Sequence, residues 1–324
     1  MTYLYVSGID NEPKLKACQK RNAKRVLISF EYLSKKKDMR GWLQQYPFEW
    51  FIDSGAFTLN QAKPDLSYCK GYLKQYLRFL ESCHDVISCA VGMDLDYAIG
   101  SELSMKWEKE FLPHEQSGLP IIHVWHPMRG MQQWERMCIE HGWVGISAGH
   151  YERNPETIPG MVAQARTKLT RVHGFAITRQ SNARNPFYSI DSSSWMMGAQ
   201  YGQTTVWEGG RLKQIEKSER PRYYAQWSAA GIPRNLIESD HYTAIYEVNL
   251  LAYLEWEKYL QLIHKPENLE VKPPPPEFFN KCSSDDLEYW SPVFFGEYEK
   301  FDTKKRRRLL RVVSQLLREK VEDI

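Results

Sequence analysis

Short apolar runs alternate along the chain with longer amphipathic segments. The runs Tyr3–Ser7, Arg25–Phe30, Trp50–Asp53, Ile87–Asp94, Pro120–Trp125, Trp143–Ser147, Arg171–Ile177 and Tyr188–Asp191 predict strands. Several are continuously apolar or β-branched, as suits parallel strands covered on both faces. Between them, Pro13–Asn22, Leu66–Ser82, Glu102–Gln116, Met131–His141 and Ile158–Leu169 predict helices. Strands alternating with helices of this length imply βαβ units, and about eight such units close a TIM-like (β/α)8 barrel. An open doubly wound sheet is the main alternative, but no GxGxxG follows the first strand.

Past Asp191 the pattern changes. Ser192–Tyr201 reads as a helix capped by serine, Thr204–Ile215 as a hairpin turning at Gly209 and Gly210, and Asp240–His264 as a long helix. Residues 1–200 are thus expected to form the barrel core with its catalytic site, and 201–265 a barrel-completing hairpin and helices. The run Pro273–Pro276 marks a stiff linker over 266–282. The remainder, 283–324, is a C-terminal helical extension that carries the cation block Lys304, Lys305, Arg306, Arg307 and Arg308.

Composition narrows the class. With 42% hydrophobic and 26% charged residues among 324, the chain is globular. The net charge of +3 does not by itself announce a nucleic-acid partner. The six cysteines form no CxxC pair, which argues against a disulfide framework and a common structural zinc motif. No apolar run approaches the roughly 18 residues of a membrane helix, and MTYLYVSGID lacks the features of a secretory signal. A soluble, cytoplasmic protein without membrane partners is expected.

In a β/α barrel, chemistry sits at the C-terminal ends of the strands. Those ends carry Asp53, Asp94, the segment His123–His126, Gly145–Gly149, His173 and Asp191. Any one of the aspartates could be a helix cap or a turn residue. Three together suggest a site, because a buried carboxylate needs hydrogen bonds, a cation or a ligand. The histidines at 123 and 126 splay to opposite faces of a strand, which disfavours a shared metal.

The segment Ile52-Asp53-Ser54-Gly55-Ala56-Phe57 resembles the Asp-Ser-Gly-(Gly/Ala)-(Phe/Tyr) motif of the tRNA-guanine transglycosylase (queuine tRNA-ribosyltransferase) superfamily. Further matches follow in order: Met93-Asp94, the loop Val144-Gly145-Ile146-Ser147-Ala148-Gly149, Val172-His173-Gly174 and Ile190-Asp191. The resemblance covers about residues 3–200. Two features depart from the tRNA enzymes. Their cysteine-rich zinc motif is missing, since only Cys282 stands in that region, and the stretch after Asp191 is Ser192-Ser193-Ser194-Trp195-Met196, with no arginine. The chain is therefore most similar to the phage-type 7-deazaguanine DNA transglycosylases (DpdA-type), which act in a bacterial host.

This resemblance implies a pentosyl-transferring base exchange in which guanine in DNA is replaced by a 7-deazaguanine base of the preQ0 or preQ1 kind. Asp191 would be the nucleophile and Asp53 the general acid and base. Asp94 would read the guanine edge. Ser54, Phe57, His123, His126, His173 and the backbone at Gly145 and Ile146 would contact the base, with Phe57 and His173 enclosing the ring. Arg179, Arg184 and the block at 304–308 would hold phosphates, as would Lys35–Lys37, Arg220 and Arg222, while the target base is flipped out. No ATP, metal or other cofactor is expected. The alternatives are a tRNA-guanine transglycosylase without zinc, a non-catalytic barrel that binds nucleic acid or a purine, and an unrelated barrel hydrolase that uses the carboxylates with a metal.

Overall fold

Eight strands pair in sequence order, each parallel to its neighbours, and the eighth returns to the first to close a barrel. They are β1 (Tyr3–Val6), β2 (Arg25–Ser29), β3 (Glu49–Asp53), β4 (Cys89–Val91), β5 (Ile121–Trp125), β6 (Trp143–Ile146), β7 (Arg171–Gly174) and β8 (Ser189–Ser192). This computed structural model describes residues 2–177, 180–200 and 203–264. The fold is the TIM-like barrel that the alternating pattern predicts. Closure is direct, with Tyr5 of β1 opposite Asp191 of β8.

Strand alternation sorts the side chains into two layers. Tyr5, Leu27, Phe51, Cys89, Val91, Ile122, Val124 and Trp143 fill the barrel interior. Their neighbours, such as Ile28, Ile52, Ala90, Trp125, Ile146 and Ile190, join the larger core between strands and helices. The helices Glu12–Lys20, Leu66–Cys83, Gly130–Glu140 and Ile158–Thr167 follow the expected segments. The stretch expected as one helix over Glu102–Gln116 is instead Ser101–Glu108, a 3-10 turn at Lys109–Phe111 and a short helix Leu112–Gln116, whose first turn carries Pro113. Proline cannot donate to the preceding turn, so the helix breaks there.

The hairpin of β9 (Thr204–Glu208) and β10 (Arg211–Ile215) does turn at Gly209 and Gly210, both with positive φ. It does not complete the barrel, however, because β8 already pairs with β1. It forms a separate sheet, and Val206 and Ile215 pack with Trp227, Ile237, Ile245 and Val248 in a second core. Asn249, on the helix Tyr242–Ile263, joins the two units. Its Oδ1 accepts from Thr205 N–H at 2.7 Å, and its Nδ2 donates to the Trp195 carbonyl at 2.9 Å. No helix among the described residues is long and apolar enough to cross a membrane. The linker over 266–282, the tail 283–324 with its cation block, Cys282 and Arg179 lie outside the described residues.

Candidate active site

A cavity of about 960 Å³ opens at the C-terminal end of the barrel, and Asp53, Asp94 and Asp191 all line it. Three strand ends bring them there. On β3 the alternation that buries Trp50 and Ile52 outward turns Phe51 and then Asp53 inward. Beyond Asp53 the chain reverses through Gly55, which has φ +79° and caps the helix Ala56–Ala62. A side chain at Gly55 would lie 2.5 Å from the Tyr72 hydroxyl, so both conformation and space require glycine. The Gly55 N–H donates to Asp53 Oδ2 at 3.2 Å. Thus the Asp-Ser-Gly sequence is a turn that holds its own carboxylate. Burial pushes Asp53 up to about 7, with the charges of Asp94 and Asp191 adding to the rise, while the bonds from Gly55 and Ser29 oppose it.

Among the described residues, Asp191 is held through Oδ1. The Ala176 N–H donates to Oδ1 at 2.7 Å, and His173 Nε2 lies 3.4 Å from the same atom. Ala176 adopts φ +49°, a left-handed conformation that costs a residue with a side chain about 1 kcal/mol. That strain aims its N–H at the carboxylate. His173 is fully buried below the cavity, with Ser189 Oγ 2.8 Å from its Nδ1. Burial lowers its pKa and keeps the ring neutral. With Ser189 donating to Nδ1, the proton rests on Nε2 and faces Asp191.

Asp94 is bound differently. His126 Nε2 lies 2.8 Å from its Oδ2, and Asn60 Nδ2 donates to its carbonyl at 2.7 Å. Asn60 also ties down the next loop, because its Oδ1 accepts from the N–H groups of Tyr97 and Ala98, each at 3.1 Å. His126 is buried on the cavity wall, and its Nδ1 has no protein partner.

The structure brings five of the expected base-site residues to one cavity: Asp53, Asp94, Asp191, His126 and Phe57. Phe57 is 73% exposed at the mouth, which sets aside core packing as its role. Five other expected contacts are corrected. His123 faces outward from β5, because Ile122 and Val124 occupy the inward positions; its Nε2 lies 3.0 Å from Glu115 Oε1. Ser54 is buried in the turn, where its Oγ accepts from the Ala56 N–H and its carbonyl accepts from Tyr72. Ile146 packs in the outer core and its carbonyl accepts from the Phe175 N–H. Gly145 faces inward, but a side chain there would meet Phe175 at 2.4 Å, so its role is to make room for that ring. His173 supports Asp191 from below instead of enclosing the base, and Phe175, edge-on to it at 4.4 Å, lines the cavity in its place.

Phe175 and Asn60 were not anticipated. Each carries a positional signal: Phe175 lies two residues beyond His173, and Asn60 lies one helical turn from Phe57 and Ala56. Among the expected phosphate contacts, Lys35 lines the cavity mouth and Arg184 is exposed. Arg220 is not available, since it is buried in the second core against Asp240 and Thr204. A group with metal-type donors, Glu108, His123 and His141, lies outside the cavity with ligand atoms within 4.8 Å of one another. Compared with known proteins, the chain matches no family model and no curated protein, so the site stands on its own geometry.

Proposed function

We propose that the chain is a base-exchange transglycosylase that replaces guanine in DNA with a 7-deazaguanine through a covalent bond to Asp191. The observation that carries this reading is the meeting of three carboxylates on one cavity, with Asp53 raised to about 7. A volume of about 960 Å³ admits a purine together with its sugar.

In the first displacement an Asp191 oxygen, Oδ2 by the bonding of Oδ1, attacks C1′ of the extruded nucleotide. The C1′–N9 bond breaks, its electron pair leaves with guanine, and Asp53 supplies the proton that makes guanine neutral. In the second, Asp53 takes the N–H proton of the incoming base, whose nitrogen attacks C1′ and releases Asp191. Two inversions retain configuration. One N-glycosidic bond replaces another, so the exchange is near balance in energy. An acid that must first give and then take a proton works best with a pKa near the working pH, which the raised value of Asp53 supplies. Asp94 offers a carboxylate to the adjacent N1–H and amine of guanine, a match of two acceptors to two donors. Through Nε2, His126 fixes the orientation of Asp94. Phe57 and Phe175 offer aromatic surface to the ring.

Preference for DNA rests on the departures from the tRNA enzymes: the missing cysteine cluster and the arginine-free segment after Asp191. The test is mass spectrometry of nucleosides from DNA and, in parallel, tRNA incubated with the protein and candidate deazaguanines. Incorporation into DNA is expected. Incorporation into tRNA alone would move the substrate to RNA, and none in either would reject the exchange.

A further inference from the structure

On the outer face of β5, away from the cavity, a second cluster of titratable groups gathers from three separate parts of the chain. Glu115 comes from the short helix Leu112–Gln116, His123 from β5, and His141 from the residue that ends the helix Gly130–Glu140. Glu115 Oε1 lies 3.0 Å from His123 Nε2 and 3.8 Å from His141 Nδ1. The two imidazoles stack with centroids 3.7 Å apart and planes 24° apart. Glu108, from the helix Ser101–Glu108, comes within 4.8 Å of both histidines.

We propose that His123, His141 and Glu115 form a binding site for a divalent transition-metal ion of the zinc class, with Glu108 beside it, that ties the broken α segment to β5. Three observations carry this. The first is spacing. Donors about 2.0–2.1 Å from a tetrahedral ion lie roughly 3.3 Å from one another, and the two separations from Glu115 Oε1, 3.0 and 3.8 Å, bracket that edge. The second is donor type, since two imidazoles and a carboxylate suit zinc and its neighbours better than calcium or magnesium.

The third is charge. Glu108 is paired with Arg129, but Arg129 also binds Asp96 through both Nε and Nη2 at 2.7 Å. Asp96 and Glu108 thus share a single guanidinium while Glu115 pairs with the two imidazoles, so three carboxylates gather around one fixed cation and leave two negative charges over. A divalent ion cancels them. His123 is fully buried, whereas His141 and Glu115 are partly exposed, which gives an entry path and room for water as a further ligand. On binding, the His123 proton moves from Nε2 to Nδ1, which faces Gly92 and has no protein partner.

The experiment uses the full chain stripped with chelator and dialysed against zinc ion, in parallel with His141→Ala and Glu115→Gln. Both substitutions are at partly exposed positions outside the cavity. The wild type should bind one equivalent more than either variant, and the affinity of the variants for that equivalent should fall by more than about tenfold. Cobalt ion should give tetrahedral visible absorption in the wild type alone, and zinc should raise its melting temperature but not theirs. Equal metal content and equal melting shifts in all three proteins would overturn the site, leaving Glu115 as a plain acceptor for two imidazoles. Base-exchange activity should be the same in the three proteins, so failure of this site and failure of the exchange reading are separately visible.

Discussion

Asp94 and Asp96 stand two residues apart after β4, yet their surroundings differ completely. Asp96 is buried beside Arg129 in a two-bond pair, with the Ser104 hydroxyl donating to its Oδ2 at 3.1 Å. Asp94 faces a cavity that also holds Asp53 and Asp191, and its partner is a histidine. The first arrangement neutralises a carboxylate to fix two helices. The second gathers three carboxylates on one cavity, where burial, with the repulsion of Asp94 and Asp191 added, raises Asp53 to about 7. Repulsion of that kind persists where a ligand is meant to relieve it or a proton is meant to move.

The contrast predicts opposite responses to mutation. The largest effect is expected at Asp191. Asp191→Asn should lower exchange on the order of 10⁴-fold or more while leaving the fold intact, as read by nucleoside analysis beside a melting curve. Asp53→Asn should slow guanine release about 10²–10⁴-fold. It should also stabilise the protein at alkaline pH. Between the ordinary carboxylate range and about 7, folded Asp53 keeps a proton that the unfolded chain has lost. Its contribution to stability therefore falls as pH rises through that window, by on the order of 4 kcal/mol at most. The same titration should make the first half-reaction of the wild type fall above about pH 7, measured as guanine released in a single turnover. A rate flat from pH 6 to 9 would remove Asp53 as the acid.

At Arg129 the response should reverse. Arg129→Met strips the cation from Asp96 and Glu108 and should cost about 3–5 kcal/mol of stability, read by denaturant titration, far more than Asp94→Asn costs. Asp94→Asn should instead weaken the base by about 1–3 kcal/mol, seen as a raised KM for the deazaguanine. The smallest effect is expected at the mouth. Phe57→Ala should weaken nucleotide binding by about 1–3 kcal/mol and leave the melting temperature unchanged, because the ring is mostly exposed.

Much of this contrast is written in the sequence. The eight apolar runs place eight strands, and the carboxylates at the ends of β3 and β8 mark the mouth of the barrel. Strand parity was available but was not enough on its own to place side chains. Ile122 and Val124 are apolar neighbours of His123, and only closure of the barrel tells which face of β5 is inside. Glycine at 145 is visible in the sequence, but the ring that fills its space comes from another loop. The pairing of Arg129 with Asp96 spans 33 residues and has no local signature. The same holds for the meeting of Glu115, His123 and His141, which depends on where the helix breaks at Pro113.

The most direct test of the central claim is peptide mapping of the covalent species formed when the protein meets a guanine-containing DNA strand and is quenched before the second base is added. The account predicts a single sugar-linked peptide, the one that carries Asp191, lost in Asp191→Asn. A linkage at Asp53, at Asp94 or elsewhere, or exchange that proceeds with no linked peptide at all, would contradict it.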